Sequence, residues 1–239
     1  MATRQEKTER KGVAVKELGE AISAAMPALD ATGQRIAIAI HRLMGDGEPV
    51  TSEAIARAIE VPVGRVDESL NSWPGVYRDG EGRVVGFWGH SIAGLDPQYR
   101  LLVDGKTTYA WCALDTLFIP PILGKTVGVE ATCPVTGELV SLVVDRNGAR
   151  NVRPAGAVVS MVVPDGPFGY DVIESFCHRV LFFASEAAGE TWAAQHEGTT
   201  LLSVQEAFEV GRVLTERMAP DLFGRESGRP SQADREENK

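Results

Sequence analysis

The stretch LLVDGKTTYAWCALDTLFIPP (101–121) decides how the chain is read. Two β-prone runs, Leu101–Val103 and Thr107–Ala110, flank Asp104-Gly105, and an Asp-Gly pair between such runs is a strong hairpin signal. The pattern then changes. Trp111–Leu117 reads as a helical turn, and Pro120-Pro121 is expected to stop it, because proline removes a backbone donor. A hairpin running straight into a short helical element points to an α+β fold.

Further along, Val127–Thr132 and Leu139–Val144 flank a Val135-Thr136-Gly137 turn, and Ala157–Val163 and Val180–Ala184 are compact apolar runs. Ser185 can cap a helix carrying Trp192, and Ser203 with Glu206 forms the S-x-x-E box of a helix carrying Phe208 and Leu214. Residues 96–218 are therefore expected to build a mixed or antiparallel β-sheet core flanked by helices. On the other side, residues 13–95 read as a winged-helix-like module of three helices and a hairpin. Apolar residues recur at helical spacing in Val15–Met26, Ile36–Met44 and Ile55–Ile59, Pro62 opens a further helix with Val66 and Leu70, and DGEG (79–82) turns a hairpin. The ends, 1–12 and 219–239, carry few apolar residues and are expected to form an unstructured arm and tail.

The net charge of −9 lacks the positive field that attracts nucleic acid or anionic membrane. No run approaches the roughly 20 apolar residues of a membrane span. The charged start MATRQEKTERKG is not followed by an apolar leader core, so the expected location is the cytoplasm. Cytoplasmic thiols stay reduced, and three cysteines is an odd count, so a disulfide framework is not expected.

Each cysteine then needs a packing or a chemical reason. Cys112 and Asp115, three residues apart, share a face if their segment is helical. A cysteine near a helix N-terminus is expected to have its thiol pKa lowered. Packing is the competing explanation, since cysteine is among the most buried residue types. The same holds for Cys177, which precedes His178 and an apolar run, and more strongly for Cys133 in its hairpin turn. Structural zinc favours closely spaced cysteine pairs and none is present. His41, His90, His178 and His196 read as structural or solvent-exposed residues.

Six strings together resemble the organomercurial lyases, also called alkylmercury lyases: YAWCALDTL (109–117), TCPVTGE (132–138), PAGAVVSMVVP (154–164), SFCHRVLFFAS (175–185), TWAAQHEG (191–198) and LSVQEAFEVG (202–211). The similarity runs from about 99 to 217 and is looser over 35–95. It implies that 96–218 is the catalytic domain. It also implies that Cys112 and Cys177 are the reacting thiols, that Asp115 is the acid, and that Cys133 is structural. The expected reaction is protonolysis of a carbon–mercury bond, giving a hydrocarbon and Hg(II) held by Cys112, Cys177 and Asp115. No cofactor is required. External thiols or a mercuric reductase are the expected acceptors of Hg(II).

That residue set suits the chemistry. Mercury is soft and prefers thiolate over nitrogen or oxygen. A second thiolate pushes charge onto the carbon, and a carboxyl group can pass that carbon a proton. An apolar surround, with Trp111, Leu114, Phe118 and Ile119 near the first thiol and Phe176 near the second, would raise the Asp115 pKa and help it carry that proton. One rival is a thiol-based carrier or sensor of mercury or copper, which has no need of Asp115. The other is a DNA-binding regulator, which the acidic Asp67 and Glu68 beside Arg65 disfavour.

Overall fold

A computed structural model describes residues 4–96 and 98–220. Helix α1 spans Arg4–Ala25. The arm expected to be unstructured over 1–12 is thus helical from Arg4, in keeping with its Arg, Gln, Glu and Lys, all good helix formers. Val15 and Ile22 of α1 bury in the larger core, against α8 (Val204–Met218). Residues 221–239, most of the expected tail, lie outside the described part.

The winged-helix-like module is built from α2 (Ala31–Met44), α3 (Ser52–Ile59), α4 (Val63–Ser72) and the hairpin β1 (Val76–Arg78)–β2 (Val84–Phe87). Asp30 caps α2 by accepting from the Gly33 N–H, and Thr51 caps α3 through Ala54. Ile36, Ile40, Ile55, Val66, Val84 and Phe87 meet in a core of their own. Arg65, the only cation of α4, is paired with Asp30 and Glu68.

The wing does not end there. β2 turns through Trp88-Gly89 into β3 (His90–Ser91), which pairs with β5 (Lys106–Ala110). β4 (Tyr99–Val103) and β5 form the expected hairpin, with Asp104 and Gly105 both at positive φ, as a two-residue turn of this kind requires. With β6 (Val127–Thr132), β7 (Leu139–Asp145) and β8 (Gly148–Arg153) they complete an eight-stranded sheet in the order β1-β2-β3-β5-β4-β6-β7-β8. A second sheet, β10-β9-β11, holds β9 (Val158–Met161), β10 (Phe182–Phe183) and β11 (Thr200–Ser203). Every strand pairing in both is antiparallel. The fold is α+β, as the sequence indicates.

Helix α5 (Asp115–Leu123) corrects one expectation. Pro120 and Pro121 do not stop it but lie inside it, and the chain leaves at Gly124 in the left-handed conformation. All nine side chains are buried, and burial of so apolar a segment offsets the backbone bonds the prolines remove. α8 crosses α5 closely, with Gly211 against Leu117 and Phe118. The short helix α6 (Val172–Ser175), a 3₁₀ turn at Cys177–Arg179 and α7 (Glu186–Ala193) complete the chain's described elements. No described helix is long and apolar enough to cross a membrane.

Candidate active site

Cys112 sits in the turn between β5 and α5, and Asp115 is the first residue of that helix. The turn is closed by Asp115 itself, whose Oδ2 accepts the Cys112 N–H at 2.9 Å. Cys177 opens the 3₁₀ turn that leads into β10 of the other sheet. The Ala113 N–H donates to the Val180 carbonyl at 3.0 Å, which joins the two thiol-bearing segments. Ser160 on β9 fixes the second of them: its hydroxyl donates to the Arg179 carbonyl and accepts the Leu181 N–H, and its own N–H donates to the Leu181 carbonyl. The result is that Cys112 Sγ, Cys177 Sγ and a carboxylate oxygen of Asp115 lie within 4.8 Å of one another, all three residues buried. No other such group of three potential metal-ligating side chains occurs among the described residues.

Burial governs the protonation of this cluster. It pushes the Asp115 carboxyl up from 3.8 to about 7, against hydrogen bonds from Cys112 and from the Trp111 and Cys112 backbone that favour the charge. Burial also pushes the Cys112 thiol well up, assisted by its hydrogen bond to Cys177 and by the Asp115 charge. This reverses the expectation that a nearby helix N-terminus would lower it. Desolvation outweighs the helix dipole, and the carboxylate occupies the N-terminal position instead. For Cys177, the hydrogen bond from Cys112 favours the thiolate, but burial and Asp115 together leave it raised. The Tyr99 phenol is kept neutral by burial and by the nearby Cys112, Cys177 and Asp115.

Cys133 lies elsewhere, in the turn between β6 and β7. Burial would raise its thiol, but hydrogen bonds from Thr136 and from the N–H groups of Ala184 and Val135 outweigh that and hold it below the ordinary range. Those bonds fasten the turn to the end of β10.

A cavity of about 30 Å³ opens beside the cluster, with Asp115, Cys177, Trp88, Gly89, Trp111 and Phe176 in its wall. Leu114 and Phe118 also face it, whereas Ile119 is plain core. Cys112, with no exposed surface, lies behind the wall.

Comparisons with known proteins show the family. A family model described as alkylmercury lyase matches residues 94–216, and one described as the helix-turn-helix domain of alkylmercury lyase matches residues 11–88. The chain belongs to the alkylmercury lyase family. It is 41% identical to the alkylmercury lyase of Bacillus cereus over 176 residues, which is 74% of this chain and 78% of that one. Identity to the Streptomyces lividans alkylmercury lyase is 39% over 74% of this chain and 80% of that one, and to the Pseudomonas putida enzyme 34% over 77% and 84%. The mercury-bound form of MerB2 superposes with a TM-score of 0.66 at 21% identity, over 86% of this chain and 98% of that one, which is a likeness of fold.

Within this alkylmercury lyase family member, sequence reasoning missed three residues that shape the site. Gly89 (φ +86) presses on the acid: a Cβ there would fall 2.5 Å from Asp115 Cγ. Its neighbour Trp88 (φ +36) forms part of the cavity wall. Ser160 left one faint signal, a lone polar residue in the apolar run AVVSMVV. Gly89 in GFWGH left none.

Proposed function

We propose that this chain cleaves the carbon–mercury bond of alkyl- and arylmercury compounds, with Cys112, Cys177 and Asp115 as its reaction centre. The observation that carries the residue roles is the buried cluster of two thiols and one carboxyl whose proton is poised near neutrality. Cys177 faces the cavity and accepts a hydrogen bond from Cys112, so it meets mercury first. It displaces the ligand X of R–Hg–X, and its proton leaves with X as HX. Once Cys177 holds the metal it no longer accepts from Cys112, whose single S–H then donates to Asp115 and passes its proton there, and the Cys112 thiolate joins the metal. The electron pair of the C–Hg bond passes to carbon as Asp115 returns the proton to it. The products are RH and Hg(II) bridging two thiolates, and one proton has gone to each of carbon and X.

A mercury carrier needs the two thiols but not a carboxyl that holds and releases a proton near pH 7. Asp115 therefore favours the enzyme over the carrier. No cofactor enters these steps. A dithiol-bearing acceptor such as a mercuric reductase, or small thiols, would remove Hg(II) by ligand exchange, since free release from two thiolates is slow.

The test is benzene release from phenylmercury in the presence of excess thiol, followed by gas chromatography. Asp115→Asn should lower it about 100-fold or more, the range of one proton-transferring group, while Hg(II) is still retained. Unchanged benzene release by that variant would refute the role of the acid.

A further inference from the structure

Two apolar cavities meet at one wall beside the thiols. The cavity at the cluster, about 30 Å³, has room for a methyl-sized group, given that one water-sized probe takes roughly 10–15 Å³. Across Met26, Trp88 and Leu214 lies a second, of about 120 Å³, partly open to solvent, with Leu29, Ala37 and Phe87 on its apolar side and Gln34 and Arg217 also in its wall. The three wall residues line both. An apolar cavity of roughly 150 Å³ inside a protein accepts benzene, so the second cavity has nearly the size of an aryl group.

The three wall residues differ in freedom. Trp88 is held by the bond from its backbone N–H to the Gly75 carbonyl and by its ring against Phe168. Leu214 is buried within α8. Met26 follows directly on the end of α1, is half-buried, and carries an unbranched, flexible thioether. We propose that the second cavity receives the organic group of the larger organomercurials, and that Met26 is the residue that selects by size between the two cavities. Methylmercury is accommodated in the first cavity alone. Aryl and longer alkyl groups displace the Met26 side chain and extend past it. The proposal rests on the trio as the mercury site and adds a specificity determinant to it.

Methyl- and phenylmercury should be compared on the full chain carrying Met26→Ala, Met26→Trp or Ala37→Leu, with circular-dichroism melts to confirm folding. Both turnover and equilibrium binding, by quenching of tryptophan fluorescence in competition with a small thiol, should be measured. Met26→Ala should raise the phenyl-to-methyl ratio of kcat/KM about tenfold, through KM, the scale on which an apolar pocket discriminates by size. Met26→Trp should lower that ratio by a similar factor. Ala37→Leu, which narrows the second cavity from its apolar side, should lower it too and leaves Met26 in place. Binding ratios should follow the same order. Ratios that stay at the wild-type value in all the folded variants overturn the pocket and leave the reaction intact. Absence of hydrocarbon from either substrate, with binding ratios that still shift as described, overturns the reaction and leaves the pocket standing.

Discussion

A carboxyl group taken out of water tends to keep its proton, and Asp115 is such a group. Its value of about 7 in the fold lies above the ordinary 3.8. Folding therefore favours the protonated form. The stabilising contribution is complete below about pH 4 and is lost as pH rises through about 7. The span corresponds to about 4 kcal/mol at 1.36 kcal/mol per tenfold change in affinity. Asp115→Asn keeps the shape and removes the titration. Between pH 4 and pH 8 the wild-type Tm should fall relative to that of the variant, by on the order of 10 °C. Parallel melting temperatures across that range would show that the carboxyl is not buried in this way. Gly89 gives a second prediction at this scale. Gly89→Ala places a methyl group against Asp115, whereas Gly82→Ala, at a similar φ of +79, meets nothing within 4 Å. Both should lose about 1–2 kcal/mol for the left-handed backbone, but only Gly89→Ala should also cut C–Hg cleavage, by about tenfold or more. Equal activity in the two would remove Gly89 from the site. The Cys112–Asp115 pair was legible because its three-residue spacing is local. Gly89 was not, because its role depends on a turn from another strand arriving at the acid.

Elements that carry their own start signals were readable, and α8 is the best of them. Ser203 and Glu206 form the complete capping box, with the Ser203 side chain accepting the Glu206 N–H and the Glu206 carboxylate accepting the Ser203 N–H. Ser185 and the Asp104-Gly105 turn likewise appear where local chemistry placed them. β8 was not foreseen. Its sequence GARNVR is polar, and it lies at the sheet edge with little burial, so no apolar alternation marks it. β3 is two residues long and owes its place to partners on both sides. The stop assigned to Pro120-Pro121 failed because local propensity was weighed without the burial that α8 and the sheet supply. The same cap gives a test at this scale. Ser203→Ala should lower stability by about 1 kcal/mol, measured by urea denaturation, with kcat unchanged at 25 °C. A loss of activity in a fully folded Ser203→Ala protein would mean that the cap positions the site through Leu214 as well as stabilising the helix.

At the scale of the whole molecule, the winged-helix-like module and the thiol-bearing core share one sheet. The strand order passes from β2 through β3 to β5 without a break, and further ties cross from α2 to α5. The Arg42 side chain donates to the Ile122 carbonyl at 3.1 Å, and the buried His41 ring meets Phe118 edge-on. The module also supplies Trp88 and Gly89 to the cavity wall, so opening it would open the site. Two helical and strand patterns that look separable in sequence are therefore joined by pairing between residues that are distant in the chain, which periodicity cannot show. Such continuity should make unfolding a single cooperative event. Trp73 packs on the core of the module, and Trp192 on the larger core against Phe183. Thermal melts of a Trp73→Phe and a Trp192→Phe protein, each followed by the remaining tryptophan fluorescence and by far-UV circular dichroism, should give one midpoint per protein by both probes. A module that melts several degrees before the core would separate the two probes, and would mean that the shared sheet couples them more weakly than its register implies.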